Sequence, residues 1–202
     1  MHPVLRWAVP THAPDDAFLT DGERSRLEAH RSPAARREFV ATRWFVREVV
    51  AEAAGCSPAG VTIMQQCPEC GGPHGRPTAR TPGRRAPFLS WSSANGTTVV
   101  AVDRSPVGVD VVSRPELLGW ARLEAVLKAT GHGLAVDPSL VELSATSVVR
   151  WDGPGPRPRL QITDVAFGGD LVGAVAVRGR RWGSGQWRQR ALEQPRPQQV
   201  LD

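Results

Sequence analysis

Trp120, Glu124 and Lys128 recur at i, i+4 and i+8 in Trp120-Ala-Arg-Leu-Glu124-Ala-Val-Leu-Lys128. On a helix, that spacing puts all three on one face. Upstream, Asp110 stands inside the apolar run Val107-Gly-Val-Asp110-Val-Val112. A carboxylate in such a strand is costly to bury unless it is paired or binds a cation. One acid on a strand and another on the adjoining helix can share a hard cation. Magnesium suits them, because it takes oxygen ligands and fills the rest of its shell with water and substrate phosphates. Lys128, one turn beyond Glu124, would reach the same phosphates. The plainer alternative has Asp110 capping a turn and Glu124 in solvent. Lys128 is also the only lysine; the rest of the 25 Lys+Arg residues are arginine. There is no tyrosine, and isoleucine occurs only at Ile63 and Ile162, which fits a GC-rich coding bias. A lysine kept against that bias points to a chemical need. Its ammonium is a compact charge that can release a proton, whereas an ordinary guanidinium holds its proton to much higher pH.

A second constellation is Cys67-Pro-Glu-Cys70-Gly-Gly-Pro-His74. Two thiols and an imidazole stand at zinc-compatible spacing. A fourth ligand is not evident, with Cys56 as the one further candidate, so a reduced, metal-free turn is expected. Three cysteines are an odd number, and Met1–Trp7 lacks the basic-then-apolar pattern of a secretory leader. Both features fit reduced thiols in a cytoplasm. His2, His12, His30, His132, Ser105 and Ser139 have no base-and-nucleophile context, which argues against a hydrolase.

The net charge of +5 and pI near 10.3 give a basic surface. Arginine favours bidentate contact with phosphate or carboxylate, so a nucleotide-like cofactor or an acidic protein is a plausible partner. The arginines are scattered and few aromatics interleave with them, which makes nucleic acid unlikely. No apolar run approaches the roughly 20 residues that span a bilayer, so no membrane partner is expected.

The elements that must position these groups are read as α+β. Residues 1–18 form a short strand or loose lead. A helix opens at Asp21. A longer one follows Ser32-Pro33 to about Ala53, with Phe39, Val46, Val49 and Val50 inward, Arg36, Arg43 and Arg47 on another face, and Gly55 as the stop. Val61–Gln65 alternates like a strand, and Cys67–Pro87 reads as a long loop. Strands resume at Phe88–Trp91, Thr97–Val102 and Val107–Val111, with Asn95-Gly96 as a hairpin turn. Ser113 and Glu116 predict a capping box for a helix running to Thr130. Val141–Trp151, Arg159–Val165 and Leu171–Val177 read as three closing strands.

Five short stretches, in order, resemble the Sfp-type 4′-phosphopantetheinyl transferases. They are Phe39-Val-Ala-Thr-Arg43, Gly75-Arg76-Pro77, Phe88-Leu-Ser90-Trp91-Ser92, Val107-Gly-Val-Asp110-Val, and Trp120 through Leu134. The likeness runs from about Arg36 to Val177. It implies a pseudo-dimeric fold of two similar α/β halves, here 19–105 and 106–180, with a mobile basic tail at 181–202. It implies magnesium-dependent transfer of the 4′-phosphopantetheine arm of coenzyme A to a serine of an acyl- or peptidyl-carrier protein. Asp110 and Glu124 match the metal acids, and Glu124 and Lys128 the catalytic pair. Arg36, Arg43, Arg76, Ser90, Trp91 and Lys128 are then the candidate coenzyme A contacts. The chain departs from the family pattern at four places. Trp91 stands where the family has histidine, Val112 where a third acid is usual, and Leu123 where the helix motif has its first lysine. The stretch Ser113–Gly119 is also much shorter than its family counterpart. These changes imply an alternative: a repurposed relative that binds a carrier protein, or acts on a carrier-tethered substrate, without transferring the arm. Trp91 and Leu123 would then line an apolar pocket.

Overall fold

A computed structural model describes residues 3–67, 70–83 and 86–179. The tail assigned to 181–202 lies outside the described residues. The chain begins with strand β1 (Val4–Ala8), then helices α1 (Asp21–Glu28) and α2 (Pro33–Ala54). The hairpins β2 (Thr62–Gln65)–β3 (Pro77–Arg80) and β4 (Phe88–Ala94)–β5 (Thr97–Asp103) follow. The second half runs β6 (Val107–Val112), helix α3 (Leu118–Thr130), and the hairpins β7 (Val141–Leu143)–β8 (Val148–Trp151) and β9 (Leu160–Gly168)–β10 (Leu171–Arg178). Two antiparallel three-stranded sheets result, β1-β5-β4 and β6-β10-β9. In each, the first strand of the half pairs with its last, and a helix-plus-hairpin insertion lies between. The fold is thus mixed α+β, built on small antiparallel sheets. The lead holds a strand of the first sheet, since Val4 to Ala8 pair with Val102 to Thr98.

Strand periodicity sorts the side chains into three cores. On β5, Val100 and Val102 face α2, with Phe45, Val46, Val49 and Val50, while Val99 and Ala101 face the other way. On β10, Ala174 and Ala176 face α3, while Val175 and Val177 turn to the central core. That central cluster joins Leu5, Val99 and Ala101 to Val107, Val109 and Val111, so residues of both sheets share it. Small residues allow α3 to sit low over β6. A Cβ on Gly108 would lie 2.0 Å from the Ala125 carbonyl oxygen.

Local chemistry explains the helix ends. Ser32 accepts from the Ala35 amide, Pro33 fills the first turn, and Gly55 closes α2 at φ +70°. The capping box expected at Ser113–Glu116 does not form. Pro115–Leu117 is a 3-10 turn, and α3 starts behind Leu117 without a side-chain cap. A box forms instead at Thr20–Glu23, opening α1. Two further expectations are corrected. The long loop contains β3, whose opening proline sits at a strand start where no ladder donor is required of it. Val141–Trp151 is two strands, because the Ser144 hydroxyl accepts from the Thr146 and Ser147 amides and folds the chain back. Among the described residues, no helix is long and apolar enough to cross a membrane.

Candidate functional site

Of the three arginines expected on one face of α2, Arg43 and Arg47 are buried. Arg47 is fully enclosed and forks onto Glu23, with Nη2 to Oε2 at 2.6 Å and Nη1 to Oε1 at 3.1 Å. The Glu23 carboxylate therefore serves both the capping box of α1 and the α1–α2 contact. Arg43 is also buried, 3.8 Å from Glu23, with its guanidinium 4.8 Å from the Phe39 ring centre and 4.7 Å from that of Trp91. Burial, then the charge of Arg26, pushes the Arg43 guanidinium down to about 10. Among the described residues, its Nη1 has no hydrogen-bond partner. Arg36 lies exposed near the start of α2.

Between the halves runs a cleft of about 680 Å³. Arg26, Cys67, His74, Arg76, Ser90 and Trp91 line it from the first half, and Lys128 and the Gly131–Ala135 segment from the second. Its charged and titratable lining is Arg26, Arg76, Lys128, His74 and His132, with cysteine and no carboxylate among the described residues. Arg76 reaches across from the β2–β3 side to the C-terminus of α3. There Nη2 donates to the Ala129 carbonyl at 3.4 Å, and the guanidinium lies over the Phe88 ring. Gly131, at φ +87°, leaves that space open, since a Cβ would meet Arg76 Nη1 at 2.9 Å. Burial lowers the pKa of Arg76 as well. Two partly desolvated guanidiniums beside or in one cleft would each be relieved by a bound anion.

At the rim, the helix spacing does what it implies. Trp120 Nε1 donates to Glu124 Oε1 at 2.9 Å, and Lys128 Nζ lies 3.4 Å from Glu124 Oε2. The same ammonium donates to Asp110 Oδ1 at 2.6 Å and to the Val109 carbonyl at 3.2 Å. Asp110 is buried, and its Oδ1 also accepts from Ser92 Oγ at 2.7 Å. The structure thus gathers Asp110, Glu124 and Lys128 at one point. The oxygens converging on Nζ are an all-oxygen donor set that suits a hard cation. The lysine ammonium sits at the centre of that donor set.

The other sequence candidates are dispersed. Ser90 is buried, and its Oγ accepts from the Val109 amide at 3.1 Å, stitching β4 to β6. Trp91 lines the cleft; Leu123 does not, packing instead against the core beneath α3. The expectation that both line one apolar pocket is corrected, because position 123 falls on the core side of the helix. Ser92, which holds Asp110, received no role from the sequence. Its signal was the period-2 repeat of Ser90 and Ser92 on one strand face. Arg26 and His132 were missed as cleft residues because they come from elements distant in sequence.

No protein-family model matches the chain, and no curated protein matches it.

Proposed function

We propose that this chain transfers the 4′-phosphopantetheine arm of coenzyme A to a serine of an acyl- or peptidyl-carrier protein. The observation that carries the reading is the basic cleft at the seam of two halves with the same strand order, with Asp110, Lys128 and Glu124 at its rim. The cleft is of a size that takes a nucleotide-scale ligand. The repeated plan of the halves supports the resemblance to the pseudo-dimeric phosphopantetheinyl transferase fold.

Arg26, Arg76 and Lys128 bind and orient the phosphates. The serine oxygen attacks the phosphorus that bears the pantetheine arm. The bond from that phosphorus to the bridging oxygen breaks, and adenosine 3′,5′-bisphosphate leaves. Glu124, more exposed than Asp110, accepts the serine proton. Magnesium, held by Asp110 and Glu124, would supply charge neutralisation at the pyrophosphate. Lys128 turns from the carboxylates to the phosphates and steadies the charge that develops there.

Trp91 favours a second reading. It puts an indole on the cleft wall where the family has histidine. A chain so altered would bind a carrier-tethered substrate without transferring the arm. Intact mass spectrometry of an apo-carrier protein incubated with coenzyme A, magnesium and this protein separates the two. Gain of the phosphopantetheine mass is the expected result. Magnesium-dependent coenzyme A binding in calorimetry with no mass gain selects the second reading. Absence of both binding and transfer overturns the proposal.

A further inference from the structure

Cys67 and Gly71 to His74 are drawn together by backbone hydrogen bonds into a group whose chemistry the cleft does not use. The Cys67 amide donates to the Gly72 carbonyl, and the Gly71 amide to the Cys67 carbonyl, both at 2.9 Å. The His74 amide donates to the Gly72 carbonyl at 2.8 Å. This backbone aims three side chains at one point. The ligand atoms of Cys67, Cys70 and His74 lie within 4.8 Å of one another, and Cys70 Sγ is 3.0 Å from His74 Nε2. The Gly72 amide donates to Cys70 Sγ at 3.4 Å, which fixes the direction of that side chain. A side chain at position 72 would crowd the group, since a Cβ there would meet Cys70 Sγ and His74 Nε2 at 3.2 Å each. Zinc–sulfur bonds of about 2.3 Å and zinc–nitrogen bonds of about 2.0–2.1 Å give a tetrahedron with donor–donor edges of roughly 3.5–3.8 Å. The observed separations bracket that edge.

We propose that Cys67, Cys70 and His74 bind one zinc-type divalent cation, with a fourth position open to solvent at the cleft wall. Thiolate and imidazole donors select a borderline-soft metal over magnesium. Among the described residues no fourth ligand joins the three, which fits an open site rather than the closed structural one whose absence made a metal-free turn the sequence expectation. Cys56 packs against the first core and is not the missing ligand. Both thiols lose their protons to the solvent on binding. The two thiolates balance the ion's charge, so the cleft stays basic. Gly75 folds back against Gln66 and Cys67, and Arg76 follows directly, so the metal would pin the segment that delivers Arg76 to the cleft. None of the three ligands belongs to a core cluster, so the fold does not depend on the ion. The proposal is independent of the coenzyme A reading.

The test is titration of the reduced, metal-free full chain with Co²⁺ as an optical probe. The expected result is a thiolate-to-cobalt charge-transfer band with tetrahedral ligand-field bands, saturating at one equivalent and displaced by zinc. Cys56→Ser should keep the bands; Cys70→Ser and His74→Gln should lose the charge-transfer intensity or the one-equivalent saturation while retaining the wild-type circular dichroism. No charge-transfer band in the wild type, or an undiminished band in both ligand variants, overturns the site.

Discussion

At the scale of the residue, Lys128 pairs with two acids, Asp110 and Glu124. Asp110 is buried and, among the described residues, has only Lys128 and Ser92 as side-chain partners. Lys128→Met would strand that carboxylate, at a cost of about 2–3 kcal/mol. Adding Asp110→Asn removes the stranded charge, so the double variant should lose less than the sum of the single ones. A urea-denaturation cycle should show coupling of about 1 kcal/mol or more; additive losses would mean that the pair contributes nothing. Arg43 supplies a pH-dependent counterpart. Burial, then the charge of Arg26, lowers its folded-state pKa to about 10 from the ordinary guanidinium value, so the folded chain sheds that proton first. Between those values the unfolded chain binds more protons, and this group's contribution to stability rises with pH. Below that window its burial penalty is fully present. The absence of tyrosine and the single lysine leave the window comparatively clear. Chemical denaturation from pH 9 to 11 should give a more positive slope for wild type than for Arg43→Met. Equal slopes would show that Arg43 is not desolvated.

At the scale of the element, the site depends on how closely α3 lies on β6. Gly108 and Asp110 share a strand face, so the approach that excludes a Cβ at 108 also brings Lys128 to Asp110. Gly108→Ala should force the helix outward, at an overpacking cost of about 1–3 kcal/mol or more. It should also weaken any anion binding that uses Lys128. Thermal melts with and without coenzyme A measure both effects, and a variant as stable as wild type would contradict the close packing. The helices were legible because their stripes and stops are local: Ser32-Pro33, Gly55 and Gly131 all act within a turn. The boundary of α3 was not. The Ser113–Glu116 pattern is a proper capping signature that the structure leaves unused, since a 3-10 turn intervenes. Strand β3 was hidden because its evidence is its partner, β2, rather than its own alternation.

At the scale of the whole molecule, two halves are joined by a shared core. Valines and alanines of both sheets meet in one cluster, and Ser90 carries a hydrogen bond across the seam. Neither sheet can expose its inner face without exposing the other's. Differential scanning calorimetry should therefore show one transition, with calorimetric and van't Hoff enthalpies in agreement. Two resolved transitions would show that the halves are independent. The cleft is a product of this joining, because its walls come from α1, the β2–β3 hairpin and β4 on one side and the end of α3 on the other.

The sequence by itself determined the α+β class, most helix and strand positions, and the grouping of Trp120, Glu124 and Lys128 on one helix face. Those follow from periodicities and end signals that act over a few residues. Only the tertiary structure decided that Asp110 joins that face, that Ser92 holds it, that Arg43 and Arg47 are buried on Glu23, and that Leu123 belongs to the core. Each of these depends on packing between elements many residues apart. A helix face states which residues stand together, but only the surface it packs against decides which of them meet solvent, a neighbour or a ligand.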